Sequence, residues 1–170
     1  NEKKVFETSK TNAKRQRQPQ VHYDDRLLLS ALIAKRPVPI EMADSVQNGA
    51  VYDYERKTIF VQRGMDGQDL FRSVSLALAR AEMAQQENST PQADAFKSYC
   101  VSYMLCRKYG VDTQGYDFSR LPDELKNAEP QTIRGELTDI RDTLQTMTGK
   151  MARTLEQSRT AAQKETGKER

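Results

Sequence analysis

The stretch AVYDYERKTIFVQRGMDGQDLFRSVSLALARAEM, residues 50–83, changes its apolar period half-way along, and that change decides the fold class. Its first part holds two β-rich runs, 50–54 and 57–62, on either side of Glu55 and Arg56, a strand–turn–strand pattern. From Asp66 onward the apolar residues recur every three or four positions: Leu70, Val74, Ala77, Leu78 and Ala81 share one helical face. Asp66 is a good N-cap, with Asp69 three residues later as a capping-box partner. A hairpin that feeds directly into a helix over 67–86 predicts an α+β domain.

Working outward, DDRLLLSALIAK at 24–35 reads as a short helix capped by Asp24 or Asp25 and stopped by Pro37. Val38, Ile40 and Met42 alternate with Pro39, Glu41 and Ala43, which predicts a short strand. It belongs at a sheet edge, because Pro39 has no N–H to donate to a ladder. Downstream, Thr90 and Pro91 open a helix that runs through Phe96, Tyr99, Cys100, Tyr103 and Cys106 to Gly110. Gly110 suits a left-handed C-terminus, with Val111 as the apolar residue that follows it. Residues 111–129 read as a loop. After Pro130 a long helix carries Ile133, Leu137, Ile140, Leu144, Met147, Met151 and Leu155 at near-heptad spacing. Its C-terminal half, with Met147, Met151 and Leu155, extends past what a small core needs and is a candidate surface for self-association. Past residue 156 the apolar stripe ends, so 157–170 is expected to fray. The reading is an α+β domain over 21–156, with a small antiparallel sheet (hairpin plus edge strand) packed on helices and a long C-terminal helix.

The chain has 170 residues, one histidine (His22), two cysteines and no tryptophan, which excludes most histidine-based hydrolysis and any multi-histidine metal site. No window approaches 18 apolar residues, so no membrane-spanning helix is expected. There is no glycine-rich phosphate loop and no CxxC pair. Cys100 and Cys106 sit too far round one helix to pair and read as small core residues in a reducing, cytoplasmic setting. The tyrosines read as half-buried packing rather than a base-stacking platform. The chain begins at Asn1 and reads as a piece of a longer product. Its net charge of +3 is uneven. In residues 1–20, Lys3, Lys4, Lys10, Lys14, Arg15 and Arg17 outweigh Glu2 and Glu7 by +4, which leaves the body near −1. That tail has no apolar period and is expected to be disordered. It is the candidate surface for nucleic acid, since clustered lysine and arginine follow phosphate.

The order helix, strand, hairpin, helix, helix, long helix resembles the zincin-like metallopeptidase domain of the ImmA/IrrE and ArdC antirestriction group, over about residues 24–151. Three stretches carry the resemblance: VYDYERKTIFVQRG at 51–64, YCVSYMLCRKYGVDTQGYDF at 99–118 and IRGELTDIRDTLQTM at 133–147. The middle one is similar to that family's second core helix with its G-[LIV]-D-T-x-x-Y-x-F exit. The resemblance implies a zincin-like fold, with the N-terminal half of the long helix covering the core, and an H-E-x-x-H motif on the helix after the hairpin, whose two histidines bind zinc while the glutamate activates water. By register Arg72 and Leu76 occupy the histidine positions, Ser73 the glutamate position and Tyr99 the third-ligand position. A protonated guanidinium does not ligate zinc, leucine has no donor atom, and serine is a poor general base. The resemblance therefore implies a pseudoenzyme with no cofactor and no metal: a binding module for a protein partner, within a larger protein of a mobile genetic element. Arg72, Ser73, Leu76 and Tyr99 would line a remnant cleft, with Arg72 reaching Tyr99 or Asp94. The alternatives are an accessory module that binds nucleic acid through the tail, and an enzyme with a site of another kind.

Overall fold

The hairpin forms where the sequence places it. Strands β2 (Ala50–Asp53) and β3 (Thr58–Gln62) pair antiparallel, Ala50 opposite Val61 and Tyr52 opposite Ile59. The turn is made by Asp53, whose Oδ1 accepts from the backbone N–H of Glu55 (3.0 Å) and of Arg56 (2.9 Å), and by Lys57 at φ 50°. The computed structural model describes residues 22–168, so the basic tail lies outside the described residues. Strand β1 (Ile40–Ala43) joins the other side of β3 in parallel, Ile40 beside Ile59 and Met42 beside Val61. The order β1-β3-β2 makes the sheet mixed, where an all-antiparallel one was expected. The cause is topological. The segment 44–49, ending in a 3-10 turn at Gln47–Gly49, carries the chain past one vacant strand position, and the short hairpin turn then returns β3 into the gap. The strand with the most buried side chains, including Ile59 and Val61, thus takes the centre. β1 lies at an edge as Pro39 requires; the Pro39 carbonyl accepts from Ile59 N–H at 2.9 Å.

Helix α1 (Asp25–Ile33) buries Leu28, Ala31 and Leu32. Helix α2 (Gly67–Met83) begins at Asp66, whose carboxylate accepts from Gln68 N–H (2.9 Å) and Asp69 N–H (3.1 Å). The reciprocal half of the capping box does not form, because Asp69 pairs with Arg72 instead. α2 buries Phe71, Val74, Ala77, Leu78, Ala79 and Ala81, more than one face, because it is the central helix between the sheet and the other helices. Helix α3 (Pro91–Tyr109) starts at Thr90, whose Oγ1 accepts from Ala93 N–H at 3.1 Å. It ends at Gly110 with φ 73°, and the N–H of buried Val111 bonds back to the Cys106 carbonyl at 2.9 Å. That is the left-handed closure the sequence predicts. A short helix, α4 (Asp123–Lys126), interrupts the following loop.

Helix α5 (Pro130–Thr166) reverses the expected division of labour. Its far half is core: Met147, Met151 and Leu155 are buried with Ile140 and Thr143, against α1, α2 and α3. Lys150 reinforces this half through an ion pair with Glu82 on α2. Its near half leaves Ile133 41% and Leu137 60% exposed, beside an apolar groove shared with Phe96, Cys100, Leu121 and Leu125. The seam proposed for self-association is therefore occupied within the chain. The helix also continues to Thr166, beyond the expected fraying point at 156, with residues 159–166 exposed. Ala161, Ala162, Gln163, Lys164 and Glu165 are strong helix formers, which sustains it without packing.

Candidate functional site

The side chains expected to line a remnant cleft divide among separate surroundings. Arg72 donates from Nη1 to the Asp112 carbonyl at 2.9 Å and forms an ion pair through Nη2 with Asp69, one turn back. It thus ties α2 to the loop after α3. Ser73 donates to the Asn48 carbonyl at 3.0 Å, tying α2 to the 3-10 turn. Tyr99 accepts from the Asp117 N–H at 2.6 Å, and its ring lies 5.1 Å from those of Tyr116 and Phe118. Arg72 makes no hydrogen bond to Tyr99 or Asp94; Tyr116, whose ring packs on Tyr99, feels the Arg72 charge. Arg72→Ala is expected to cost about 1–2 kcal/mol, for the loss of the Asp112 bond and the Asp69 ion pair at a part-exposed site, read by urea denaturation.

Leu76 opens onto a different space. Together with Ala77 and Arg80 it forms one wall of a 210 Å³ cleft, whose other wall is Gln47, Asn48 and the strand β2 residues Ala50, Val51 and Tyr52. The far lip is pinned. Asn48 and Gly49 both have positive φ, 57° and 82°. The left-handed φ favours glycine at position 49, and a Cβ there would also displace the side-chain ends of Met65 (Cε at 2.6 Å) and Ser73 (Oγ at 2.9 Å). Arg80 is held from behind: its Nε donates to Ser98 Oγ at 3.3 Å, and Ser98, fully buried, donates to the Ala95 carbonyl at 3.0 Å. Among the described residues the two terminal nitrogens of Arg80 make no hydrogen bond and no ion pair.

Two polar seams join the helices away from the residues that line this cleft. Between α2 and α3, a hydroxyl chain runs from Tyr116 to Ser102 (2.6 Å), to Ser75 (2.6 Å), and ends with Ser75 donating to the Arg72 carbonyl (2.8 Å). Burial raises the Tyr116 hydroxyl and the neighbouring Cys106 thiol above their ordinary pKa values, so neither is an activated nucleophile. No imidazole faces the serines, since the one histidine, His22, is exposed in the segment before α1. The second seam joins α3 to α5. Lys97 Nζ lies 2.8 Å from Asp139, 3.8 Å from Glu136 and 3.8 Å from Asp94, which also accepts from Ser89. The Tyr54 hydroxyl is buried near Asp94 without a hydrogen-bond partner. Burial foremost, and then the Asp94 charge, push its pKa up to about 12. Sequence reasoning missed Arg80, Ser98 and Lys97. Their one sequence signal was polar residues inside otherwise apolar helical faces, which solvated surfaces also produce.

Among the described residues no group of three histidine, cysteine, aspartate or glutamate side chains could hold a metal ion, and no helix is long and apolar enough to cross a membrane. Both cysteines are unpaired; Cys106 is buried and Cys100 half-buried. Compared with protein-family models, with curated proteins and with solved structures, the chain matches none.

Proposed function

We propose that the chain is a zincin-like domain without catalysis that acts as a binding module, within a larger cytoplasmic protein of a mobile genetic element. The observation that carries this reading is the composition of the cleft between β2 and α2. Its α2 wall is Leu76, Ala77 and Arg80, not Arg72 and Ser73. Leu76 and Arg80 are one turn apart, the spacing of two zinc-binding histidines on a helix, and Ala77 follows Leu76 as the catalytic glutamate would follow the first histidine. The register of the resemblance is then better set one turn later than the sequence suggested. Ser98, which meets Arg80 from α3, replaces Tyr99 at the third-ligand position. This register also lacks every group that zinc hydrolysis needs: leucine and alanine donate nothing, and the guanidinium carries a positive charge where the metal would be. What remains is a preformed cleft with a cation in its α2 wall.

Protein prepared without chelators in zinc-supplemented medium is expected to contain no stoichiometric zinc by elemental analysis. One zinc per chain together with peptide cleavage would overturn the reading. The nucleic-acid alternative makes a separate expectation, since it requires salt-sensitive DNA affinity that disappears when residues 1–20 are deleted.

A further inference from the structure

The guanidinium of Arg80 is half-buried and oriented by its own Nε bond to a fully buried serine, yet its two terminal nitrogens have no acceptor among the described residues. A planar fork of N–H donors, fixed at one end and vacant at the other, is the arrangement that takes a carboxylate through two parallel hydrogen bonds. We propose that the β2–α2 cleft is a carboxylate-binding site, with Arg80 as its recognition group and an extended peptide as the carrier of the carboxylate. The proposal rests on the reading of this cleft as a binding site and names the chemistry of its ligand.

Three further features of the cleft agree with that occupant. First, β2 pairs with β3 alone, so its outer edge offers unpaired main-chain groups along the cleft. An extended peptide satisfies such groups in a way that a rigid metabolite or a nucleic-acid backbone does not. Second, Gln47 and Asn48 line the same wall as β2, and a side-chain amide can bond peptide groups of either polarity. Third, negative charge lies close to Arg80: its guanidinium and the Asp94 carboxylate both act on the buried Tyr54 hydroxyl. Asp94, one turn from Ser98 on α3, shares the single Lys97 with Glu136 and Asp139. Three carboxylates with one lysine disfavour a second negative charge nearby. A monoanionic carboxylate therefore suits the cleft better than a phosphate dianion. The pinned lip at Gly49, together with the Ser73 bond to Asn48, means that the cleft exists before the ligand arrives.

The test is a nuclear magnetic resonance titration of the full chain, following the amides of β2 and the Arg80 Nε–H. The probes are an acetylated alanine–serine pentapeptide with a free C-terminus, its C-terminal amide, the amide with a central glutamate, sodium acetate, and inorganic phosphate. Saturable shifts at both Arg80 and β2 are expected with one or both carboxylate-bearing peptides, roughly tenfold weaker with the neutral amide. Which of the two acidic peptides binds more tightly identifies the carboxylate as a chain terminus or a side chain. Arg80→Gln is expected to remove the preference for acid over amide while amides distant from the cleft keep their positions. Equal binding of acid and amide would overturn the carboxylate proposal but leave a peptide-binding cleft. Absence of shifts with every peptide at about 10 mM would overturn both. Phosphate binding more tightly than acetate would overturn the assignment in favour of a dianion. If Arg80→Gln does not fold, the acid-against-amide comparison on the unmodified chain still decides.

Discussion

Lysine at both Met151 and Leu155 is expected to abolish folding. The two side chains are 1% and 4% exposed, buried in the core that α5 closes over α1, α2 and α3. Truncating either to alanine would cost about 2–5 kcal/mol, the usual range for a buried leucine or methionine. Lysine adds the desolvation of an unpaired ammonium group to the lost packing. Against a total stability of about 5–15 kcal/mol, two such changes leave no folded population. Circular dichroism and a urea titration read the outcome. The paired control is lysine at Ile133 and Leu137, on the same helix and in the same periodic seam but 41% and 60% exposed. That variant is expected to lose under about 1 kcal/mol. If the Met151/Leu155 variant melts within a few degrees of the parent, the far half of α5 is not part of the core.

Lys97→Met is expected to be the most damaging change outside the apolar core. Lys97 is 8% exposed, and it is the one cation within ion-pairing distance of Asp94, Glu136 and Asp139 among the described residues. Its own burial works to lower its pKa, but the Asp139 hydrogen bond and the charges of Glu136, Asp139 and Asp94 outweigh that, and the net shift is upward from 10.5. A lysine held above its unfolded value contributes stability that is fully present below that value and lost as pH rises past it. Removing the lysine leaves buried and half-buried carboxylates facing one another, at a cost of about 3–5 kcal/mol near neutral pH. Burial already holds Glu136 above the ordinary carboxylate value. Without Lys97 the folded state binds protons more readily than the unfolded chain as pH falls into the carboxylate range. The loss relative to the parent is therefore expected to shrink in acid. Urea titrations of both proteins at neutral and acidic pH test this; a deficit that is constant with pH would show that the damage is packing alone.

The elements that the sequence located correctly are those decided by a few neighbouring residues. Asp66 and Thr90 cap their helices because a short oxygen-bearing side chain meets the N–H groups two or three residues on. Gly110 ends α3 because the left-handed conformation costs glycine little, and Asp53 turns the hairpin through bonds within three residues. The half-burial of the tyrosines was also legible, but not their partners: Tyr116 and Phe118 return onto Tyr99 and Tyr103, one turn apart on the helix. The candidate site was less so. Arg72, Leu76 and Arg80 recur along α2 at intervals of four, so a displacement of one turn leaves the sequence pattern nearly unchanged. Only the position of the 3-10 turn and β2 shows which of them face the cleft.

What the sequence by itself determined was the α+β class, the hairpin, the N-terminal cap of α2, both ends of α3, and the length and stripe of α5 as far as Leu155. These follow from backbone sterics, local hydrogen bonds and apolar period, all of which act over a few residues. Only the tertiary structure decided three further things: that β1 runs parallel to β3, that the far half of α5 and not the near half closes the core, and that Arg80 rather than Arg72 stands at the cleft. Both halves of α5 present the same stripe. Which half is buried depends on where α1, α2 and α3 lie after the chain has crossed the sheet, a sum of contacts between residues far apart in sequence that periodicity along one helix does not encode.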